Sequence, residues 1–201
     1  MSVSRAYIET MSLASTDLPR RHRFSVSDYY LMGEVGILAP DSREELIHGE
    51  IFDRAPPTPL HAATVTRLNE IFQHASGDDA SVSVLNPVRL SEFSEPQPDL
   101  ALLKRRRDFY REHHPRPADV LLIIEVADST LRFDRDTKVP LYADHGVPEM
   151  WLVNLHARRL VRHRAPREGT FTLVDEPNLG TPVEISGLSG IAVDLRWLID
   201  W

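Results

Sequence analysis

A chain of 201 residues, 42% hydrophobic and 26% charged, is long enough for one well-buried core and too short to expect two. It has no cysteine, which excludes a disulfide framework and thiolate ligands, so any bound metal must be held by oxygen or nitrogen. The formal net charge of -7 argues against a protein that coats nucleic acid non-specifically, because such binding is driven by counterion release and needs a basic surface.

Residues 1–24 mix Ser, Thr, Arg and Pro without periodicity and are predicted to be a flexible tail, with a single α/β domain over 25–201. Neither the N-terminus nor the longest apolar run, Val120 to Ile124, has the length of a membrane span. A soluble, cytoplasmic protein with no membrane partner is expected. Ser25 or Ser27 offers an N-cap to a short helix through Tyr29–Met32 that stops near Gly36. Glu44 to Ile47 and Glu50 to Asp53 flank His48-Gly49 and predict a β-hairpin. Ala55-Pro-Pro-Thr-Pro59 cannot continue a strand, since its prolines remove ladder donors. It leads into a helix over 60–75, where Leu60, Val65, Leu68, Ile71 and Phe72 recur at helical spacing and Gly77 ends the run.

Short strands are predicted at Ser81–Leu85, Val88–Leu90 and Pro98–Leu103. Val120 to Val126 is apolar without alternation, apart from Glu125, as expected of a central strand covered on both faces. A helix from about Asp134 to His145, strained by Pro140, precedes a buried strand at Glu149–Leu155. Arg159–His163, Thr170–Val174, Val183–Ile185 and Ile191–Val193 then predict a C-terminal β-meander, closed by a turn containing Trp197 and Trp201. The expected fold is thus a mixed central sheet flanked by helices, with an N-terminal helix and hairpin.

Glu125 is the strongest chemical anomaly. A carboxylate in a buried strand is costly unless an arginine, backbone amides or a cation compensates it. Asp99, held by the extended Pro98 at the start of an apolar strand, is a second carboxylate and favours the cation. Asp134, Lys138 and Tyr142 share one helical face and could deliver an ammonium to the strand end, or Asp134 and Lys138 could be an ordinary surface pair. Lys104, Arg105, Arg106 and Arg107, with Arg111 and Arg116 beyond, form a basic cluster that reads equally as a solvated loop or as a nucleic-acid contact.

Six ordered motifs resemble the Uma-two family of restriction-type endonucleases, a branch of the PD-(D/E)XK nuclease superfamily. They are Glu45-Leu-Ile-His-Gly-Glu50, Pro56-Pro-Thr-Pro-Leu-His61, Gln97-Pro-Asp-Leu100, Ile124-Glu-Val-Ala-Asp-Ser-Thr130, Asp134-Arg-Asp-Thr-Lys138 with Tyr142, and Gly146-Val-Pro-Glu-Met-Trp-Leu-Val153. The resemblance implies a restriction-endonuclease-like core in which Asp99 and Glu125 are the metal-binding acids and Lys138 the catalytic lysine. Glu45 matches an early acid of the family pattern and His61 its histidine. In the wider superfamily the lysine lies two positions after the acid, where this chain has Ala127; here it comes from the following helix, as is typical of this branch.

Two carboxylates at adjacent strand ends suit a hard cation, Mg²⁺ or Mn²⁺, and the function so implied is metal-dependent hydrolysis of DNA phosphodiester bonds. Cutting both strands of a duplex takes two sites, so this substrate also predicts a homodimer. The alternative is a nuclease-like fold without catalysis, acting as a nucleic-acid or protein-binding module, which the acidic net charge and the displaced lysine motivate.

Overall fold

The computed structural model describes residues 21–39 and 43–200. The predicted tail and Trp201 lie outside the described residues, apart from 21–24. Those four belong with the domain, since the Phe24 N–H donates to Gly49 O (2.9 Å) and Arg23 Nε to His48 O (2.8 Å).

Helix α1 (Val26–Glu34) starts at Ser25, whose hydroxyl accepts from the Asp28 N–H while the Asp28 carboxylate accepts from the Ser25 N–H, a reciprocal cap that satisfies two otherwise orphaned donors. Strands β1 (Glu44–Ile47) and β2 (Glu50–Asp53) pair antiparallel as predicted. Their turn places His48 at φ 53° and Gly49 at φ 79°, the double left-handed geometry of a tight hairpin. Gly49 is required twice over, because a Cβ there would lie 2.7 Å from the Arg23 Cβ. Helix α2 (Pro59–Ser76) is capped by Thr58, which accepts from the His61 N–H at 3.2 Å, with Pro59 where a missing N–H costs nothing.

The central sheet has the order β3 (Ala80–Val84), β4 (Leu100–Lys104), β5 (Val120–Ala127), β6 (Glu149–Asn154), β7 (Arg159–Arg167) and β8 (Thr170–Asp175). Only β5 and β6 are parallel; the other neighbours are antiparallel. β4 and β5 are buried on both faces, which explains their unbroken apolar runs. Leu100, Leu102, Leu122 and Ile124 face α2, while Ala101, Leu103 and Ile123 face the crossover between β5 and β6. Phe72 of α2 packs on Trp151 of β6 with ring centroids 5.7 Å apart, and both are fully buried.

Three expectations are corrected. Val88–Leu90 forms no strand: its N–H groups turn back to Pro96 O (2.9 Å, from Val88) and Ser94 O (3.0 Å, from Leu90), closing a loop that buries both side chains. The helix expected from Asp134 begins earlier, as α3 (Leu131–Phe133), widens into a π-turn over Asp134–Lys138, and tightens into α4 (Val139–Asp144). Pro140 supplies no N–H and its ring crowds the carbonyl four residues back, so the wider turn, in which the Val139 N–H reaches Asp134 O, accommodates it. Finally, only β7 and β8 of the expected meander extend the main sheet. β9 (Val183–Glu184) and β10 (Ala192–Val193) pair with each other in a separate ribbon, followed by α5 (Trp197–Asp200). No helix among the described residues is long and apolar enough to cross a membrane.

Candidate active site

The parity of the central strands brings the two acids together. Leu100 pairs with Ile124 across the β4–β5 ladder, so Asp99 and Glu125 stand one step beyond that pair. Side chains alternate, and both acids therefore project with Ala101 and Ile123 toward the crossover helix. The Val126 N–H donates to Asp99 Oδ2 at 2.8 Å and ties the strand ends at this point.

The crossover delivers the amine. Lys138 closes the π-turn with its side chain only 3% exposed, and its Nζ lies 3.2 Å from Glu125 Oε1 and 3.1 Å from Glu45 Oε2. The Tyr142 hydroxyl donates to the same Glu125 oxygen at 2.6 Å. Asp134 is buried on the same side and accepts from the Thr130 hydroxyl at 2.6 Å. The surface-pair alternative for Asp134 and Lys138 is thereby excluded. Glu45 enters from β1, where its Oε2 also accepts from the Gln97 N–H at 3.1 Å. His61, one turn into α2, sets Nε2 3.2 Å from Asp99 Oδ2, with Nε2 donating to the carboxylate. Its Nδ1 is buried and has no hydrogen-bond partner among the described residues.

Sequence reasoning missed Arg54. It follows β2 directly and places Nη2 3.1 Å from Asp99 Oδ1. Nothing in the sequence separates it from an ordinary strand-end arginine before a proline loop. Asp128 was also passed over; it accepts from the Thr58 hydroxyl at 2.6 Å and fastens the start of α2 to the loop after β5.

The electrostatics follow from burial against pairing. Complete burial pushes the Glu125 carboxyl up to about 8; Lys138 pulls the other way, but Asp99, Asp134 and Glu45 add repulsion. Burial disfavours the Lys138 ammonium, yet Glu125, Glu45 and Asp134 more than offset this and hold it protonated. Burial also opposes ionisation of Asp99, but the bonds from His61 and the Val126 N–H and the charge of Arg54 hold its carboxyl below the usual range. Asp134 is raised by burial despite Lys138 and Thr130.

These groups line a cavity of about 240 Å³. Its walls carry the carboxyls of Asp99, Glu125, Asp134 and Glu45 against the fixed cations Arg54 and Lys138. An excess of buried carboxyls, all hard oxygen donors, together with space for several waters, fits a hydrated Mg²⁺ or Mn²⁺. Asp99 and Glu125 would hold it, through the acceptor positions that Arg54, His61 and Lys138 leave on them. Among the described residues no three His, Asp or Glu side chains close into a ready-made metal shell. The basic cluster lies elsewhere. β4 begins beside Asp99 and ends at Lys104, so Lys104 to Arg107 sit roughly 16 Å along the strand from the acids.

A mixed sheet with two carboxylates at facing strand ends and a lysine from the parallel crossover defines an α/β protein of restriction-endonuclease-like architecture. The chain belongs to the Uma2 family, described as "Putative restriction endonuclease", whose model matches residues 26–196. Among solved structures it is similar to one described as "a putative nuclease belonging to DUF820" from Anabaena variabilis ATCC 29413, with a TM-score of 0.65, 13% identity, and 89% of this chain and 98% of that one covered. At that identity the likeness carries the fold. No curated protein matches the chain significantly. Family and fold together support a nuclease role.

Proposed function

We propose that the protein is a divalent-metal-dependent endonuclease that hydrolyses DNA phosphodiester bonds, with Asp99 and Glu125 as metal-binding acids. The observation that carries this reading is the meeting of Asp99, Glu125 and the buried Lys138 amine around one cavity. A bound Mg²⁺ or Mn²⁺ would polarise a phosphoryl oxygen and lower the pKa of a coordinated water. Lys138, held cationic by Glu125 and Glu45, offsets the negative charge that develops on phosphorus in the transition state. Tyr142 fixes the Glu125 carboxyl so that its orientation does not depend on the lysine alone. His61 sits on the outer side of Asp99, where its Nδ1 is placed to take or give a proton at the cavity wall. Glu45 acts through Lys138 as a positioning residue.

Lys104, Arg105, Arg106 and Arg107 would then hold backbone phosphates remote from the cut, about five nucleotides away at roughly 3.4 Å per step. A duplex cut on both strands would call for a dimer. The test is incubation of purified protein with duplex and branched DNA in Mg²⁺ or Mn²⁺. Cleavage that disappears in Asp99→Ala supports the proposal; cleavage unchanged by that substitution, or none with any substrate, refutes it.

The second reading, a binding module without catalysis, is favoured by one observation: Arg54, His61 and the Val126 N–H already satisfy Asp99. It predicts no Mg²⁺- or Mn²⁺-induced rise in melting temperature that depends on Asp99 and Glu125.

A further inference from the structure

A second cavity, of about 380 Å³, opens between α1 and the long segment after β4, lined by Tyr30, Arg89, Tyr110, Arg111, His114 and Arg116 among others. Its charge runs against that of the chain. Residues 104–116 hold six basic side chains against two acidic ones in a protein of net charge -7. Glu112 is the acid on the cavity wall, and it meets Arg111 at 3.5 Å with both side chains more than 70% exposed, so the guanidinium remains accessible to a ligand.

Aromatic rings are interleaved with these arginines, and the contacts are built rather than incidental. Tyr30 donates its hydroxyl to the buried Glu95 at 2.7 Å, which locks the ring, and Arg89, ion-paired to the same carboxylate, covers it at 5.6 Å. Arg106 covers Tyr110 at 4.8 Å and Arg105 covers Phe109 at 5.3 Å. Phe109 and Tyr110 stand consecutively at φ 50° and 59°, a left-handed backbone that side-chain-bearing residues rarely adopt. The outcome is a phenyl ring left 66% exposed beside an arginine-lined cavity.

We propose that this cavity binds unpaired single-stranded nucleic acid, with its bases stacked on the aromatic rings and its phosphates on Arg111 and Arg116. Duplex bases hide their π-faces from protein; only an unpaired strand presents flat rings and regularly spaced phosphates together. The location suits a strand that also reaches the active site. Glu95, at the base of the cavity, bridges to Leu46, the neighbour of Glu45, so the Cα atoms of Glu95 and Glu45 are no more than about 9 Å apart. The proposal deepens the nuclease reading and rests on it for the scissile end: the substrate it implies is a junction at which duplex passes into single strand.

The full chain is titrated in EDTA, where no metal-dependent cleavage occurs, against fluorescently labelled oligothymidylate and a blunt duplex of equal length, with anisotropy followed across a range of salt. Arg111→Ala/Arg116→Ala should weaken single-strand binding and lower its log–log salt slope by about 1.4, since each phosphate contact on a single strand contributes about 0.7. Tyr110→Ala should weaken the same binding about 5- to 100-fold with the slope unchanged, and Tyr110→Phe should restore it. The arginine pair is exposed, so its result stands even if Tyr110→Ala fails to fold. Oligothymidylate binding that neither set of substitutions alters, or duplex binding weakened as much as single-strand binding, overturns the proposal. Because the titration uses no metal, loss of strand capture while Asp99-dependent cleavage persists would sink this inference and leave the nuclease reading standing; the reverse pattern would do the opposite.

Discussion

Replacing Lys138 by Met keeps the length and apolar stem of the side chain and removes its charge. The amine lies 3.1 Å from Glu45 and 3.2 Å from Glu125, and all three side chains are 3% exposed or less. Breaking a buried ion pair from one side leaves a carboxylate that neither water nor a partner stabilises, at a cost of about 3–5 kcal/mol. For a domain of this size roughly 2–4 °C of melting temperature accompanies each kcal/mol, so Lys138→Met should melt about 6–20 °C below the parent in metal-free buffer. An exposed pair would be worth about 0–1 kcal/mol and shift melting by no more than about 4 °C. Thermal unfolding followed by circular dichroism separates the two outcomes. Glu45→Gln in the Lys138→Met background should recover part of the loss, because it removes the stranded charge. A fall of under about 4 °C, or no recovery in the double variant, would refute the description of this site as a closed charge cluster.

Because burial lifts the Glu125 carboxyl from its ordinary 4.5 to about 8, the native state holds this proton more tightly than the unfolded chain, and native stability should fall as pH rises through that window. Glu125→Gln should flatten the decline, as read by urea unfolding at several pH values; an unchanged slope would assign it to other groups. Arg54→Met removes the 3.1 Å contact to Asp99 and should enlarge the rise in melting temperature that Mn²⁺ produces, whereas a smaller rise would show that the guanidinium does not compete with the ion. Phe72→Ala should cost about 3–5 kcal/mol, since the ring is fully buried against Trp151; a loss near 1 kcal/mol, measured by urea unfolding, would mean the surrounding helix collapses onto the space.

The elements legible in the sequence were those whose local signal agreed with their tertiary setting. His48-Gly49 marked the hairpin because the turn needs two positive φ angles. The unbroken run of β5 marked a strand covered on both faces, and within it Glu125 identified itself by its cost. Val88 and Leu90 misled because burial was read as strand, whereas their hydrogen bonds close within a proline-rich loop. The helical face of Asp134, Lys138 and Tyr142 was read correctly in which residues it joins, but spacing alone could not reveal the wider turn. Arg54 was invisible for a different reason: its partner Asp99 is 45 positions away, and only the packing of the β1–β2 hairpin beside the sheet brings them together.

The π-turn at Asp134–Lys138 makes the reach of the lysine a matter of residue count as well as identity. Loss of one residue there would favour an ordinary helix and swing whatever followed by about 100° around the axis. Between fixed anchors in β5 and β6, such a deletion would carry the ammonium out of the cleft with every side chain of the catalytic set still encoded. Drift in the length of this short stretch would therefore silence the site more completely than many substitutions within it.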